Sequence, residues 1–451
     1  MFTYIKVKNF LSLGDVSFDF KRSQNSINPF VVIYGENGSG KTNFVQVFSL
    51  LKHSINSFDY QQNYEDILSM FKEEVIPPNE MLQGLAIYSD FTDYLSSKRM
   101  VDCDEPTEVE YGFLMNNKEA IYHLTFTDHI LNEFLYGYTG KQRGYLFKIS
   151  SDEHDDIKTK LHPELIVHSS YNKEIKEKIQ QYWGKHSFLS IITKQKKEKN
   201  QKFIEENVSP YLIEAIKQLS KVSVTNKLSN KNEKRILYNE KKDILRNLDN
   251  GIIAASRIKS IQKTESILRD FLTQTYADIK DVEYEVTPID DNRLKYRLYV
   301  DKMISGKIRR IDFMRESAGT QQILDIFRSL IGLFFGVTVV YDEIDNGVHD
   351  ILLAQIINSL QGEITGQLII TTHNTMLLEV LDEHYIYVIN TDYMGNKSVH
   401  SAAEYGIQTN HNLRARYIKG LLGGVPYIDG VDYEAIESVL AERGDPSWQE
   451  K

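Results

Sequence analysis

Polar and apolar residues alternate over Tyr4 to Lys8 and again over Val16 to Phe20, which predicts two short strands at the start of the chain. Four β-prone residues, Val31 to Tyr34, then run into a glycine-rich turn, and Asn43 to His53 reads as an apolar helix. That turn is therefore expected inside a sheet. From Ser54 to Asp104 the pattern is poor and Pro77-Pro78 breaks it, so connecting helices and loops are expected. Glu108 to Leu114, Ala120 to Phe126 and Ile130 to Tyr138 are three β-like runs separated by Asn116-Asn117 and Thr127-Asp128, the signature of an antiparallel meander and a second sheet. Between Asp152 and Phe271 the sequence is polar, lysine-rich and helical in texture; strand patterns return at Glu283 to Thr287 and Leu294 to Val300. The apolar run Ile331 to Tyr341 reads as a buried strand. The expected fold is α/β, with mixed β-sheets and flanking helices, carrying an inserted mostly helical arm. Its expected divisions are residues 1–150, a helical insertion at 151–280, a returning segment at 281–395 and an extension at 396–451.

The chain of 451 residues has room for two or three lobes. A net charge of −10 argues against a surface coated uniformly for nucleic acid. The charge is segregated, however: Lys185 to Leu245 holds 14 Lys and Arg against 7 Asp and Glu. Such a run is usually a solvated helical face or a short coiled hairpin; the sharper reading is a nucleic-acid or partner surface centred on Lys194, Lys196, Lys197, Lys199 and Lys202. The single cysteine, Cys103, excludes an intramolecular disulfide and any zinc site built on several thiolates. No apolar run reaches the roughly 18 residues of a membrane span, and the N-terminus opens into a strand pattern rather than a signal peptide. A cytoplasmic protein with no membrane partner is expected.

The glycine-rich turn carries the sharpest chemistry. Gly35-Glu36-Asn37-Gly38-Ser39-Gly40-Lys41-Thr42 is a complete phosphate-binding loop set between strand and helix. Its glycines allow backbone N–H groups to fold around phosphate oxygens at the positive end of the following helix, which Asn43 continues. Lys41 is expected at the β- and γ-phosphates of a nucleoside triphosphate and Thr42 at Mg2+. Val337 to Tyr341 is an apolar strand ending in Asp342-Glu343. Beside an intact phosphate loop, such a pair assigns Asp342 to the metal and Glu343 to the attacking water. Ser317-Ala318-Gly319 starts another helical run, either as a plain cap or as a second anion site. Gln367 to Thr371 is one more buried strand, with His373 just past its end.

The order phosphate loop, Ser-x-Gly-x-Gln, Asp-Glu and strand-Thr-Thr-His resembles the head of the ABC-type ATPases related to SMC, RecF and overcoming-lysogenization-defect (OLD) proteins, a group often loosely termed AAA. The resemblance covers Tyr4 to His53, including Lys8-Asn9-Phe10-Leu11-Ser12, and Arg315 to Asn390. It implies ATP and Mg2+ as ligands, and a homodimer or higher homo-oligomer with ATP held between the phosphate loop of one subunit and the signature of the other. Carried over by position, Ser317 and Gly319 would contact the γ-phosphate of the partner's ATP, Gln321 would close the motif, Asp345 would lie in the loop crossing the seam, and His373 would sense the γ-phosphate. Asp342 to His349 resembles the OLD-like variant, with Asp350 where a proline is usual. Gln83 is a candidate for the glutamine loop, and the paired cysteines of a zinc hook are missing. The stretch Asn412 to Asp429 resembles the tail of ATPases from abortive-infection and anti-phage operons such as Septu and PARIS, although Gly423-Gly424 equally suits a simple turn. The resemblance thus implies a sensor controlling a separately encoded nuclease or toxin. The other reading is a RecF-type DNA-repair or chromosome ATPase gripping DNA through residues 185–245.

Overall fold

The computed structural model describes residues 1–23, 26–72, 90–152, 156–226, 235–236, 244–406, 412–425 and 430–442. Two seven-stranded sheets sandwich the helix that begins at Lys41. The first is antiparallel throughout, in the spatial order Ile157–Leu161, Gln142–Ser151, Ile130–Thr139, Lys118–Phe126, Thr107–Met115, Phe2–Phe10 and Leu13–Asp19. The expected meander is present, and the two opening strands extend it. They do not flank the phosphate loop in a shared sheet.

That loop belongs to the second sheet, in the order Arg235–Ile236, Val222–Thr225, Thr338–Tyr341, Gln367–Thr371, Phe30–Gly35, Ile386–Thr391 and Lys397–Ser401. Its five inner strands are parallel and its two edges antiparallel. The reason the inner strands read as continuous apolar runs is visible in Phe30–Gly35. Val31 and Ile33 enter the first core and Phe30, Val32 and Tyr34 the second, because successive side chains point to opposite, equally buried faces. Gln367, fully buried, ties the sheets together: its Oε1 accepts from Phe2 N–H at 2.8 Å, and its Nε2 donates to the carbonyls of Phe2 and Asn28, each at 3.0 Å.

The helix Lys41–Lys72 is longer than the pattern predicts and kinks at Asn56 (φ −116°, ψ 17°), whose side-chain amide donates to the Lys52 carbonyl at 2.8 Å. The run Ile331 to Tyr341 is not one strand. Ile331–Phe335 forms a 3-10 helix closed by Gly336 in the left-handed region (φ 72°), and the strand occupies only Thr338–Tyr341.

The expected helical arm takes another form. Helices Ser169–Tyr182, Phe188–Glu198, Gln201–Asn207 and Pro210–Ser220 bury Ile175, Ile179, Leu189, Ile192, Leu212 and Leu219 in the first core. Their apolar residues recur on one face, and a one-sided stripe has to be covered; the lysines are what remains on the other. Buried Glu133 anchors this packing, accepting from Tyr122 Oη at 3.0 Å, Trp183 Nε1 at 2.8 Å and the Phe188 N–H at 2.7 Å. Desolvation still pushes its carboxyl up to about 7. Val222–Thr225, also within the expected insertion, is an inner strand beside Thr338–Tyr341. Residues 244–313 instead build a third core, in which helix Ile258–Thr275 packs on the hairpin Ile279–Asp290 and Arg293–Ile304. The first core draws on residues either side of 150 and the third on residues either side of 280.

The densest lysine cluster is locally compensated. Lys194 pairs with Glu198 at 4.0 Å, Lys197 with Asp59 at 2.5 Å, Lys199 with Glu174 at 3.6 Å and Lys202 with Glu206 at 3.9 Å, while burial lowers the pKa of Lys196.

Candidate functional site

Parallel strands deliver the chemistry to one edge, because each of Phe30–Gly35, Thr338–Tyr341 and Gln367–Thr371 ends on the same side of the sheet. After Gly35 the chain turns through Gly38 and Gly40, whose φ values of +81° and +100° lie where a side chain is strained. The helix then starts at Lys41, and the Phe44 N–H closes its first turn on the Gly40 carbonyl at 2.9 Å. Lys41 is buried, its ammonium donating to the carbonyls of Gly35 at 2.6 Å and Glu36 at 2.9 Å. Ser39 Oγ is buried without a hydrogen-bond partner. A buried cation held on the loop's own carbonyls and an orphaned hydroxyl within the same turn fit a polyphosphate.

Two strands away, Asp342 is 2 % exposed and accepts from Thr371 Oγ1 at 2.7 Å; the Glu343 N–H donates to the same hydroxyl at 2.7 Å. Thr371 thus locks both carboxylate residues to the neighbouring strand. Glu343 has φ +47°, an uncommon conformation for a non-glycine residue and one that concentrates at functional sites. Next, Asp345 accepts from Thr372 Oγ1 at 2.8 Å and from the His373 N–H at 3.2 Å, so within one chain it braces the segment carrying the exposed His373. Asn374 follows, its carbonyl accepting from Tyr34 Oη at 2.7 Å and its amide donating to the Asp350 carbonyl at 2.9 Å. Asp350 opens helix Asp350–Ser359 with His349 as its cap; an acid at a helix start is favourable, so the replacement of proline there is benign.

Ser317 caps helix Ala318–Leu330 by accepting from the Thr320 N–H at 3.2 Å, and Gln321 donates to the carbonyls of Met314 at 3.0 Å and Glu316 at 2.9 Å. A Cβ on Gly319 would stand 3.2 Å from the Gly347 carbonyl. The start of this helix and the loop after Asp345 therefore touch, and Ser317, Asn346 and Gly347 are all exposed there. Among the described residues no group of three or more His, Cys, Asp and Glu gathers around a metal position. Thr42 at the start of the helix and Asp342 at the end of its strand are the residues that could hold Mg2+ alongside substrate oxygens, a sparse protein coordination usual for this ion.

Residues 1–378 match the AAA ATPase domain family. The chain belongs to that family. No curated protein matches this AAA ATPase. Similar solved structures are an SMC head bound to the C-winged helix domain of ScpA (12 % identity, 89 % of this chain and 97 % of that one, TM-score 0.43) and the SMC head domain from Thermotoga maritima (12 %, 89 % and 98 %, TM-score 0.36). No described helix of this AAA ATPase is long and apolar enough to cross a membrane.

Three features of the site were not legible in the motifs. Thr371 is an ordinary strand-end residue in the sequence; only the pairing of its strand with Thr338–Tyr341 makes it the clamp on Asp342 and Glu343. The tail is the second: Tyr417 packs its ring 5.1 Å from that of Tyr34 and donates to the Gly424 carbonyl at 3.0 Å. Gly423 and Gly424 are more than a turn, since a Cβ on Gly424 would lie 3.2 Å from Gly35 Cα and 2.5 Å from Val388 Cγ1. Replacing Gly424 with valine, at φ +65°, is expected to cost about 2–3 kcal/mol and to weaken ATP binding together with stability. Melting curves with and without Mg·ATP check this, and an unaltered nucleotide-induced shift would detach the tail from the loop. The third feature is Lys397, whose side chain lies against Gly40 of the loop. Gln83 and residues 426–429 of the tail lie outside the described residues.

Proposed function

We propose that this ATPase is a dimerising switch that hydrolyses ATP at a site shared between two copies and thereby controls a separate effector protein. In this reading Lys41 exchanges its contacts with the carbonyls of Gly35 and Glu36 for phosphate oxygens. The hydroxyl of Thr42 and the carboxylate of Asp342 hold Mg2+, which supplies neutralisation of charge on the phosphoryl oxygens. Glu343 orients the water that attacks the γ-phosphorus, and the bond to the bridging oxygen breaks to give ADP and phosphate. His373, steadied by Asp345, reports the state of the γ-phosphate.

The observation that carries the shared site is the contact of two exposed segments, Ser317–Gly319 and Asn346–Gly347, next to the Asp342–Glu343 step. The helix start directs N–H groups outward, a geometry suited to an anion brought by another molecule. Complementation tests it. Lys41→Ala and Ser317→Arg should each be inactive alone, whereas an equal mixture should recover about a quarter of wild-type turnover through mixed dimers with one intact site. Lack of recovery would remove the shared site.

Control of an effector in anti-phage defence rests on the resemblance of Asp342 to His349 and of the tail. The ion pairs of Lys194, Lys197, Lys199 and Lys202 further favour a protein partner over a phosphate backbone. On this reading DNA binding is weak and lacks the steep salt dependence of counterion release. Tight, salt-sensitive DNA binding would return the protein to a repair or chromosomal role.

A further inference from the structure

Lys397 opens the edge strand Lys397–Ser401, which lies against Leu13–Asp19 of the other sheet, and its side chain turns over the phosphate loop. The stem packs on the last loop glycine: a Cβ on Gly40 would lie 3.5 Å from Lys397 Cδ and 3.2 Å from its Nζ. The ammonium donates to Ser12 Oγ and to the Gly38 carbonyl, the latter at 3.3 Å. Ser12 Oγ accepts in addition from Asn43 Nδ2 at 2.7 Å, so a short chain of polar groups joins Lys397 to the first turn of the helix after the loop.

Every hydrogen-bond partner of this cation is a neutral oxygen, and among the described residues no carboxylate pairs with it. Partial burial accordingly lowers its pKa, the shift of an ammonium that has lost water without gaining a countercharge. Lys302 shows the contrast. It is also partly withdrawn from water, but Glu316 at 2.9 Å and Asp278 at 3.3 Å pair with it, and its pKa is raised. A half-buried lysine on the tip of the loop, with no acid beside it among the described residues, is short of one negative charge.

We propose that Lys397 is a second phosphate ligand, its ammonium meeting the polyphosphate of the nucleotide at the Gly38 tip of the loop in the same chain while Lys41 meets it at the Gly35–Glu36 base. The inference rests on the reading of this loop as the nucleotide site. Ser12 and Asn43 hold the ammonium in place until the phosphates arrive, and adenosine, which carries no phosphate, gains nothing from it.

The test uses the full chain and equilibrium binding of fluorescent ATP and ADP analogues with Mg2+. Lys397→Met is expected to weaken both about tenfold, the loss typical of one charge-assisted hydrogen bond, and Lys397→Arg to stay within about threefold of wild type. Wild-type protein that binds no ATP refutes the nucleotide site itself. Wild-type and Lys397→Met proteins that bind equally well, with Lys41→Ala impaired, overturn only the role of Lys397. A second measurement needs no variant: amine acetylation of wild-type protein, read by mass spectrometry, should show Lys397 protected by Mg·ADP and not by adenosine. Equal labelling of Lys397 with and without saturating Mg·ADP contradicts the proposal even if Lys397→Met fails to fold.

Discussion

Replacing Glu343 with glutamine is expected to leave ATP binding intact and to lower turnover on the order of 10²- to 10⁴-fold, the range a positioned base contributes. The backbone supports so selective an effect. Glu343 sits at φ +47°, where the Thr371 hydroxyl accepts from its N–H at 2.7 Å and holds the neighbouring Asp342 carboxylate at 2.7 Å. Glutamine keeps the length and the backbone hydrogen bond, so Asp342 stays in place for the metal; what is lost is a carboxylate able to polarise water. Bound ATP then persists, and light scattering should show a dimer in Mg·ATP that wild-type protein disassembles as it hydrolyses. Turnover equal to wild type would strip Glu343 of its catalytic role.

The Lys41→Ala variant is expected to lose ATP binding itself, by about 100-fold or more, because each charge-assisted hydrogen bond to a phosphate is worth roughly 1.5–3 kcal/mol and, in the proposed site, Lys41 exchanges two carbonyl contacts for phosphate oxygens. The same ammonium also holds the loop closed on itself through the carbonyls of Gly35 and Glu36. The loss therefore combines a missing ligand with a loosened loop. Melting without nucleotide separates the two: a small change in melting temperature beside a large loss of affinity assigns the effect to phosphate contact. Unimpaired affinity in titration calorimetry would place the nucleotide elsewhere.

These two variants bracket what the sequence exposes well. The phosphate loop, the Asp342-Glu343 step and the Ser317 cap are local motifs, each specified within a dozen residues by glycine freedom, strand-end position or capping chemistry. The antiparallel meander was equally legible, from alternation and turn residues, and so were two strands between residues 279 and 304, though not their pairing as a hairpin. The helices between Ser169 and Ser220 are legible as helices, but their packing into the first core is not. Lysine density dominated the pattern, although Ile175, Ile179, Leu212 and Leu219 already formed one-sided stripes that require a core.

By itself, then, the sequence determined the glycine-rich turn between strand and helix, the strand-end carboxylate pair, the helix cap near Ser317 and an α/β chain of mixed sheets. Only the tertiary structure decided which sheet holds the loop, that Thr371 clamps Asp342 and Glu343, that Gly424 lets the tail approach Gly35, and that Lys397 lies over Gly38 and Gly40. The physical reason is range. A loop's conformation follows from the torsions of its own residues, whereas Lys397 and Gly38 meet across 359 positions only because parallel strand pairing and a shared buried helix bring their elements together.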